Sequence, residues 1–435
     1  MRSLKIAVIG SGSTYTPELI KGFIDRKELL NIGSLYLCDI DCQKNEIVSG
    51  LLRRMLYSAG LRPEIVLTSS VEDSVKSADY VITQMRVGLM EARILDEKIP
   101  LKYGLLGQET TGIGGLINAL RTVPVALSIA SKIERLAPNA WLINFANPSG
   151  LVAEAILNRT KVKAAGVCNV PYRMIKEARS FVEGKGNFDY DFVGLNHLCW
   201  LNGAYIDGKD VLPYVLNMPL EKSGLSNIPD MKYEPEFLKT IGAIPCGYLN
   251  YYYFREEAIK KCMEADKTRG EICRSLEEEL LELYKDENLK EKPEILDKRG
   301  GAFYSEAAVS LIEAIENDRN DIQVVNVKNN GVFPFLQPSD VVETRCRITR
   351  GGIIPLSPKK KPQQHMIGLM QAVKSYEKLA IEAAVTGSFE KAMEALLVHP
   401  LIGDYYQAKS ALKEMLNANR DFLPQFDGYF KKKGD

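Results

Sequence analysis

Three histidines and two tryptophans in 435 residues, no CxxC pair and no surplus charge of either sign narrow the field at once. Lys and Arg total 56, as do Asp and Glu, so there is no basic excess to draw a polyanion, and nucleic acid is not expected as a partner. No unbroken apolar run approaches the ~20 residues that cross a bilayer, so a membrane is not expected either. The apolar stretch Ile6–Ile9 is too short for a secretory signal. The eight cysteines are scattered singly, unlike a disulfide scaffold or a zinc ribbon, which predicts reduced thiols and a cytoplasmic protein. With three histidines, ordinary imidazole acid/base chemistry has few candidates.

The first third alternates short apolar runs with amphipathic stretches. Lys5–Ile9, Ser34–Cys38, Glu64–Thr68, Tyr80–Thr83, Ala140–Phe145 and Lys163–Val167 read as strands, and Lys44–Ala59 and Gly115–Leu136 as helices. That order predicts an α/β protein with an N-terminal doubly wound, Rossmann-like parallel sheet. Beyond it the pattern is mixed α+β with C-terminal helices. Phe192–Leu201 and Ala204–Ile206 read as strands meeting at Asn202-Gly203, and Ile322–Val327 and Val341–Ile348 as later strands. Ser305–Glu316 and Gln364–Val385 have helical spacing. The expected division is 1–168 for nucleotide binding and 169–435 for substrate and metal.

Strand Lys5–Ile9 runs into Gly10-Ser-Gly-Ser-Thr14. Gly10 permits a tight turn and Gly12 a close backbone approach to a pyrophosphate, with Ser13 and Thr14 at the helix entrance. Tyr15 stands where a third glycine is usual. Asp39 ends the second strand, the place for a carboxylate on an adenosine ribose, and favours NAD over NADP. A tight turn with no ligand is the alternative. Cys168 ends the sixth strand, where ligand crevices lie. In a continuous strand 192–201, His197 would share a face with Val193, Leu195 and Cys199. The Cys168 thiol suits a metal, with His197 as second ligand, or a nucleophile; Cys199 is a competing thiol that reads as core, and taken singly His197 and Cys168 are better read as a core histidine and a small buried hydrophobe.

Several blocks then occur in order: Gly10–Pro17, Leu95–Pro100, Gly107–Gly112 (Gly-Gln-Glu-Thr-Thr-Gly), Asn144–Pro148, Val167–Pro171, Asn196–Leu198, Pro245–Leu249 and Lys298–Gly301. On these the chain resembles glycoside hydrolase family 4, most closely its 6-phospho-β-glucosidases. The resemblance implies NAD and a divalent metal, Mn2+, as cofactors, in place of the usual pair of catalytic carboxylates. It implies oxidation at sugar C3, proton removal at C2, elimination of the aglycone, water addition and re-reduction. Cys168 and His197 would hold the metal, and Tyr248 would be the base, with Glu109 raising its basicity. Arg93 and Arg269 would bind the substrate phosphate, with Arg86 and Arg299 as further candidates, and Asn147 and Asn169 would touch the sugar. Members acting on α-linked substrates carry Cys-Asp where this chain has Cys168-Asn169, so a β-linked phosphoglycoside or phosphorylated disaccharide is expected, with the leaving-group acid open. A homodimer or homotetramer is expected by resemblance alone. The competing readings are a 6-phospho-α-glucosidase, a lactate- or malate-type dehydrogenase and an NAD-binding sensor.

Overall fold

The apolar runs of the first third pair in a computed structural model that describes residues 2–218, 233–300 and 303–431. Gly301 of the Lys298–Gly301 block lies outside the described residues. Strands β1 (Ser3–Ile9), β2 (Asn31–Cys38), β3 (Glu64–Thr68), β4 (Tyr80–Thr83), β5 (Trp141–Asn144) and β6 (Lys163–Gly166) are parallel, in spatial order β3-β2-β1-β4-β5-β6. A smaller antiparallel sheet contains β7 (Phe188–Leu195), β8 (Leu198–Ile206), β9 (Lys209–Asp210) and β10 (Ile244–Pro245). Then β11 (Ile322–Lys328), β12 (Val341–Thr349) and β13 (Gly352–Pro355) add antiparallel to β6, giving nine strands.

Both faces of this sheet are covered, which is why its strands read as continuous apolar runs. Along β1, Ile6 and Val8 enter one core with Leu19, Leu51 and Ile312, while Ala7 and Ile9 enter another with Ile113, Leu142 and Val152. Each fully buried aliphatic chain of this kind contributes roughly 1.5–3 kcal/mol. The strand order reverses beside β1, and open α/β sheets bind ligands in the crevice at such a reversal, beyond the carboxyl ends of the strands. The turns after β1, β4, β5 and β6 all open there: Gly10–Ser13, Gln84–Gly88, Phe145–Pro148 and Cys168.

Helix Gly112–Leu136 is, among the described residues, the one helix long and apolar enough to span a bilayer. Asn118, Arg121 and Thr122 interrupt its apolar run, which hides it from a simple run count. With 78% of its apolar window buried, it is a core helix packed on the sheet.

Two expectations are corrected. The hairpin turn is not at Asn202-Gly203, and Phe192–Leu201 is not one strand. Leu195 pairs with Leu198, so Asn196-His197 is a two-residue turn, with His197 at φ +62°. Asn202 is instead the extra residue of a bulge between the pairs Phe192/Leu201 and Asp191/Gly203, where its side chain reaches the Lys360 carbonyl. His197 therefore leaves the face shared by Val193 and Leu195 and stands at the tip. As for the division at residue 168, the large sheet takes three strands from beyond it.

Candidate active site

The turn after β1 opens a cavity of about 1000 Å³ that runs from Gly10, Gly12, Ser13 and Asp39 to Cys168, His197 and Tyr248. Gly10 sits at φ +89°, and a Cβ there would lie 2.8 Å from the Met85 nitrogen. A Cβ on Gly12 would lie 3.0 Å from Asp39 Oδ2. Only glycines let this turn lie so close to its neighbours, the cradle a pyrophosphate needs. Gly12 N–H donates to Asp39 Oδ2 (2.7 Å) and Asp41 N–H to Oδ1 (2.9 Å). Burial raises this carboxyl, and the two amides oppose it. Tyr15, at the third-glycine position, lines the cavity with the Arg299 guanidinium 4.4 Å above its ring, so that position serves the site rather than close helix packing.

At the other end, Cys168 Sγ lies 3.5 Å from His197 Nε2. His197 Nδ1 lies 3.0 Å from Thr110 Oγ1. Burial pushes the imidazole down to about 4, with Glu109 opposing, so the ring is neutral and able to ligate. Burial also pushes the Cys168 thiol well up. Among the described residues no three His, Cys, Asp or Glu side chains cluster as a metal cage. The donor set fits an ion that takes its remaining ligands from substrate and water, and thiolate with imidazole is a set that binds first-row divalent metals.

The Tyr248 ring stacks on His197 at 3.7 Å between centroids, inclined by 6°. Its hydroxyl makes no hydrogen bond among the described residues. Burial pushes this phenol up, Cys168 and Glu109 add to the rise, and Arg93 opposes it. Tyr251 meets it edge-on, Tyr252 bonds Thr111 and Tyr253 accepts from the Trp200 indole, and none of the three lines the cavity.

A row of alternating charge flanks the pair. Arg93 Nε donates to Glu97 (2.9 Å), Arg93 Nη1 lies 3.2 Å from Glu109 Oε1, and Arg86 pairs with the other Glu109 oxygen. Burial raises Glu109, but Arg86 and Arg93 outweigh it and hold it at about 2. Arg299 donates to Glu277 (2.6 Å), which also takes Lys44 (2.7 Å). Arg93 Nη2 and Arg299 Nε and Nη1 are buried donors with no acceptor among the described residues. Such donors are costly to leave unmade, and their presence beside a cavity points to an anionic ligand.

Asn147 and Asn169 line the same cavity. Thr14 does not: its side chain is fully buried behind the turn. Arg269 stands off the lining at the start of helix Arg269–Tyr284, donating to the Lys298 carbonyl beside Arg299. Residues missed on sequence are Lys44 and Glu277, which carry no local signal, and Gln108 and Thr110, which stand inside a quoted block. A lactate-type reading needs a histidine paired with a carboxylate in the cavity. His365 and His399 do not line it, and His197 turns its second nitrogen to a threonine.

The family model for the family 4 glycosyl hydrolases matches residues 5–183, and the model of that family's C-terminal domain matches residues 192–402. A probable 6-phospho-β-glucosidase of Bacillus subtilis is 44% identical, over 98% of each chain. The 6-phospho-β-glucosidase of Escherichia coli is 38% identical, over 98% of this chain and 97% of its own. The Thermotoga maritima 6-phospho-β-glucosidase, solved with manganese, NAD+ and glucose-6-phosphate, superposes with a TM-score of 0.88 at 38% identity, covering 96% of this chain and 99% of that one.

Proposed function

The chain belongs to family 4 of the glycosyl hydrolases, and from that premise we propose that it hydrolyses 6-phospho-β-glucosides to glucose 6-phosphate and an aglycone, with NAD and Mn2+ as cofactors. The observation that carries the reading is the Cys168–His197 pair beneath Tyr248, at the far end of a cavity that starts at the glycine turn.

When bound there, NAD would take the C3 hydride and return it at the end, and the metal would act as a Lewis acid on the C3 carbonyl left behind, the group that makes the adjacent C2–H acidic. Cys168 and His197 would hold the metal, the neutral imidazole offering its Nε2. Tyr248 takes the C2 proton. Its hydroxyl has no competing partner among the described residues, and its stack on His197 fixes its distance from the Cys168–His197 pair. Glu109, held ionised by two arginines, acts on Tyr248 through its field and makes no hydrogen bond to it; that field raises the proton affinity of the phenolate. Arg93 and Arg299 offer unpaired donors to the phosphate, and Arg269 supports that end from outside the lining. Asn147 and Asn169 orient sugar hydroxyls. Asn169 cannot protonate a leaving group, which supports the β-linkage. Gly10, Gly12, Ser13 and Asp39 hold the dinucleotide.

Eight cysteines, all unpaired, support a reducing cytoplasm as the place of action. A homodimer or homotetramer is read from family resemblance, and analytical ultracentrifugation measures it. The activity is tested with 4-nitrophenyl 6-phospho-β-glucoside, assayed with and without NAD, Mn2+ and thiol reductant. Release of nitrophenol that needs all three supports the reading. Undiminished release after NAD and metal are stripped refutes it.

A further inference from the structure

The Gly107–Gly112 loop carries a hydrogen-bond relay that reaches His197 from behind. The Gln108 side-chain oxygen accepts the Thr110 N–H (2.5 Å) and the Thr111 N–H (3.1 Å). Two backbone donors on one atom identify it as the oxygen rather than the amide nitrogen. The same atom lies 2.8 Å from Thr110 Oγ1. A carbonyl oxygen only accepts, so the single hydroxyl proton of Thr110 is committed to Gln108. Thr110 Oγ1 is also 3.0 Å from His197 Nδ1. With its proton spent, the hydroxyl can only accept there, and the ring must carry its proton on Nδ1.

From this geometry we infer that Gln108 and Thr110 are positioning residues that hold His197 in its Nδ1–H tautomer, with the Nε2 lone pair turned toward Cys168 and the cavity. The relay is rigid. Gln108 and Thr110 are buried, and a Cβ on Gly114 would lie 2.2 Å from the Gln108 carbonyl oxygen, while one on Gly115 would lie 2.6 Å from the Thr110 carbonyl carbon. The loop is thus seated on the first turn of helix Gly112–Leu136, where only glycine fits. The Tyr248 face then fixes the ring plane while Thr110 fixes its edge. Partners behind a ligating histidine set its tautomer and its basicity, and the Nδ1–H form presents a ready donor atom. The metal consequence rests on reading Cys168 and His197 as the metal pair. The tautomer itself does not.

The test uses the full-length, metal-free protein with 15N-labelled histidine. Three histidines give three ring systems in a long-range 1H–15N spectrum, and the signals lost in H197Q identify His197. Wild type is expected to show His197 as the Nδ1–H tautomer. Thr110→Val, which removes the acceptor, loses that exclusive preference, and Thr110→Ser restores it. Gln108→Met frees the hydroxyl proton to donate to Nδ1 and turns the ring to Nε2–H. Mn2+ affinity, followed by the electron paramagnetic resonance of the free ion, falls roughly 10- to 100-fold in Thr110→Val and recovers in Thr110→Ser. An Nε2–H ring in wild type, or an unchanged tautomer in both Thr110→Val and Gln108→Met, overturns the inference. A tautomer that moves as expected with Mn2+ affinity unchanged supports the relay and counts against the metal pair instead.

Discussion

Replacing Glu109 by glutamine removes the one carboxylate that two cavity arginines share. Burial alone raises that group, yet Arg86 and Arg93 bring it from an ordinary 4.5 to about 2, which corresponds to about 3 kcal/mol in favour of the ionised form. Removing one partner of a buried pair costs about 3–5 kcal/mol, because the remaining charge stays in low dielectric. Arg93 keeps Glu97, and Arg86 is 23% exposed, so the lower end applies and Glu109→Gln is expected to lose about 3 kcal/mol at pH 7. The pH dependence has a definite sign. A carboxyl whose folded-state value is depressed contributes stability that is complete above the unfolded value of 4.5 and is lost as pH falls toward 2. The gap between wild type and variant is therefore smaller by about 1 kcal/mol at pH 4 than at pH 7. Urea unfolding at both pH values, followed by far-ultraviolet circular dichroism, measures it. A variant as stable as wild type at pH 7, or a gap that does not change with pH, refutes the reasoning.

Three further outcomes are expected. Cys168→Ser lowers Mn2+ affinity at least about 10-fold and abolishes hydrolysis while NAD binding, measured by fluorescence titration, is unchanged; retained Mn2+ affinity would move the metal elsewhere. Tyr248→Phe loses about 10²–10⁴-fold in kcat, the usual contribution of a general base, with Mn2+ and NAD affinities intact; wild-type kcat would assign the proton to another group. Asp39→Ser weakens NAD binding by about tenfold, about 1.4 kcal/mol for lost ribose hydrogen bonding, and narrows the gap to NADP; unchanged NAD/NADP preference would exclude Asp39 as the ribose carboxylate.

What could be read before folding was whatever a short local pattern determines. Gly10, Gly12 and Asp39 sit at strand ends of a parallel sheet, so topology alone sends them to one crevice, and the same rule brings Cys168 there. The residues point to His197 but not to its setting. Asn202-Gly203 carries the composition of a turn, yet β7 and β8 continue past it through a bulge. The true turn, Asn196-His197, contains no glycine, so nothing local announces the positive φ of His197. The addition of β11–β13 to the parallel sheet depends on pairing across more than 150 residues, as between Gly166 and Asn326, which no window can show. Arg269 shares its residue type with Arg93 and Arg299, but only the latter two line the cavity. Lys44 and Glu277 look like ordinary residues of amphipathic helices, and only the line Lys44–Glu277–Arg299, with Glu277 pairing both cations, sets them apart.

Proton removal at C2 of the sugar is the step that distinguishes this chemistry from direct hydrolysis. Hydrolysis of a 6-phospho-β-glucoside in D2O, with NAD and Mn2+ present and the released glucose 6-phosphate examined by nuclear magnetic resonance, tests this directly. The account predicts deuterium at C2 of the product, with incorporation lost together with hydrolysis in Tyr248→Phe. Full hydrolysis that leaves protium at C2 would contradict it.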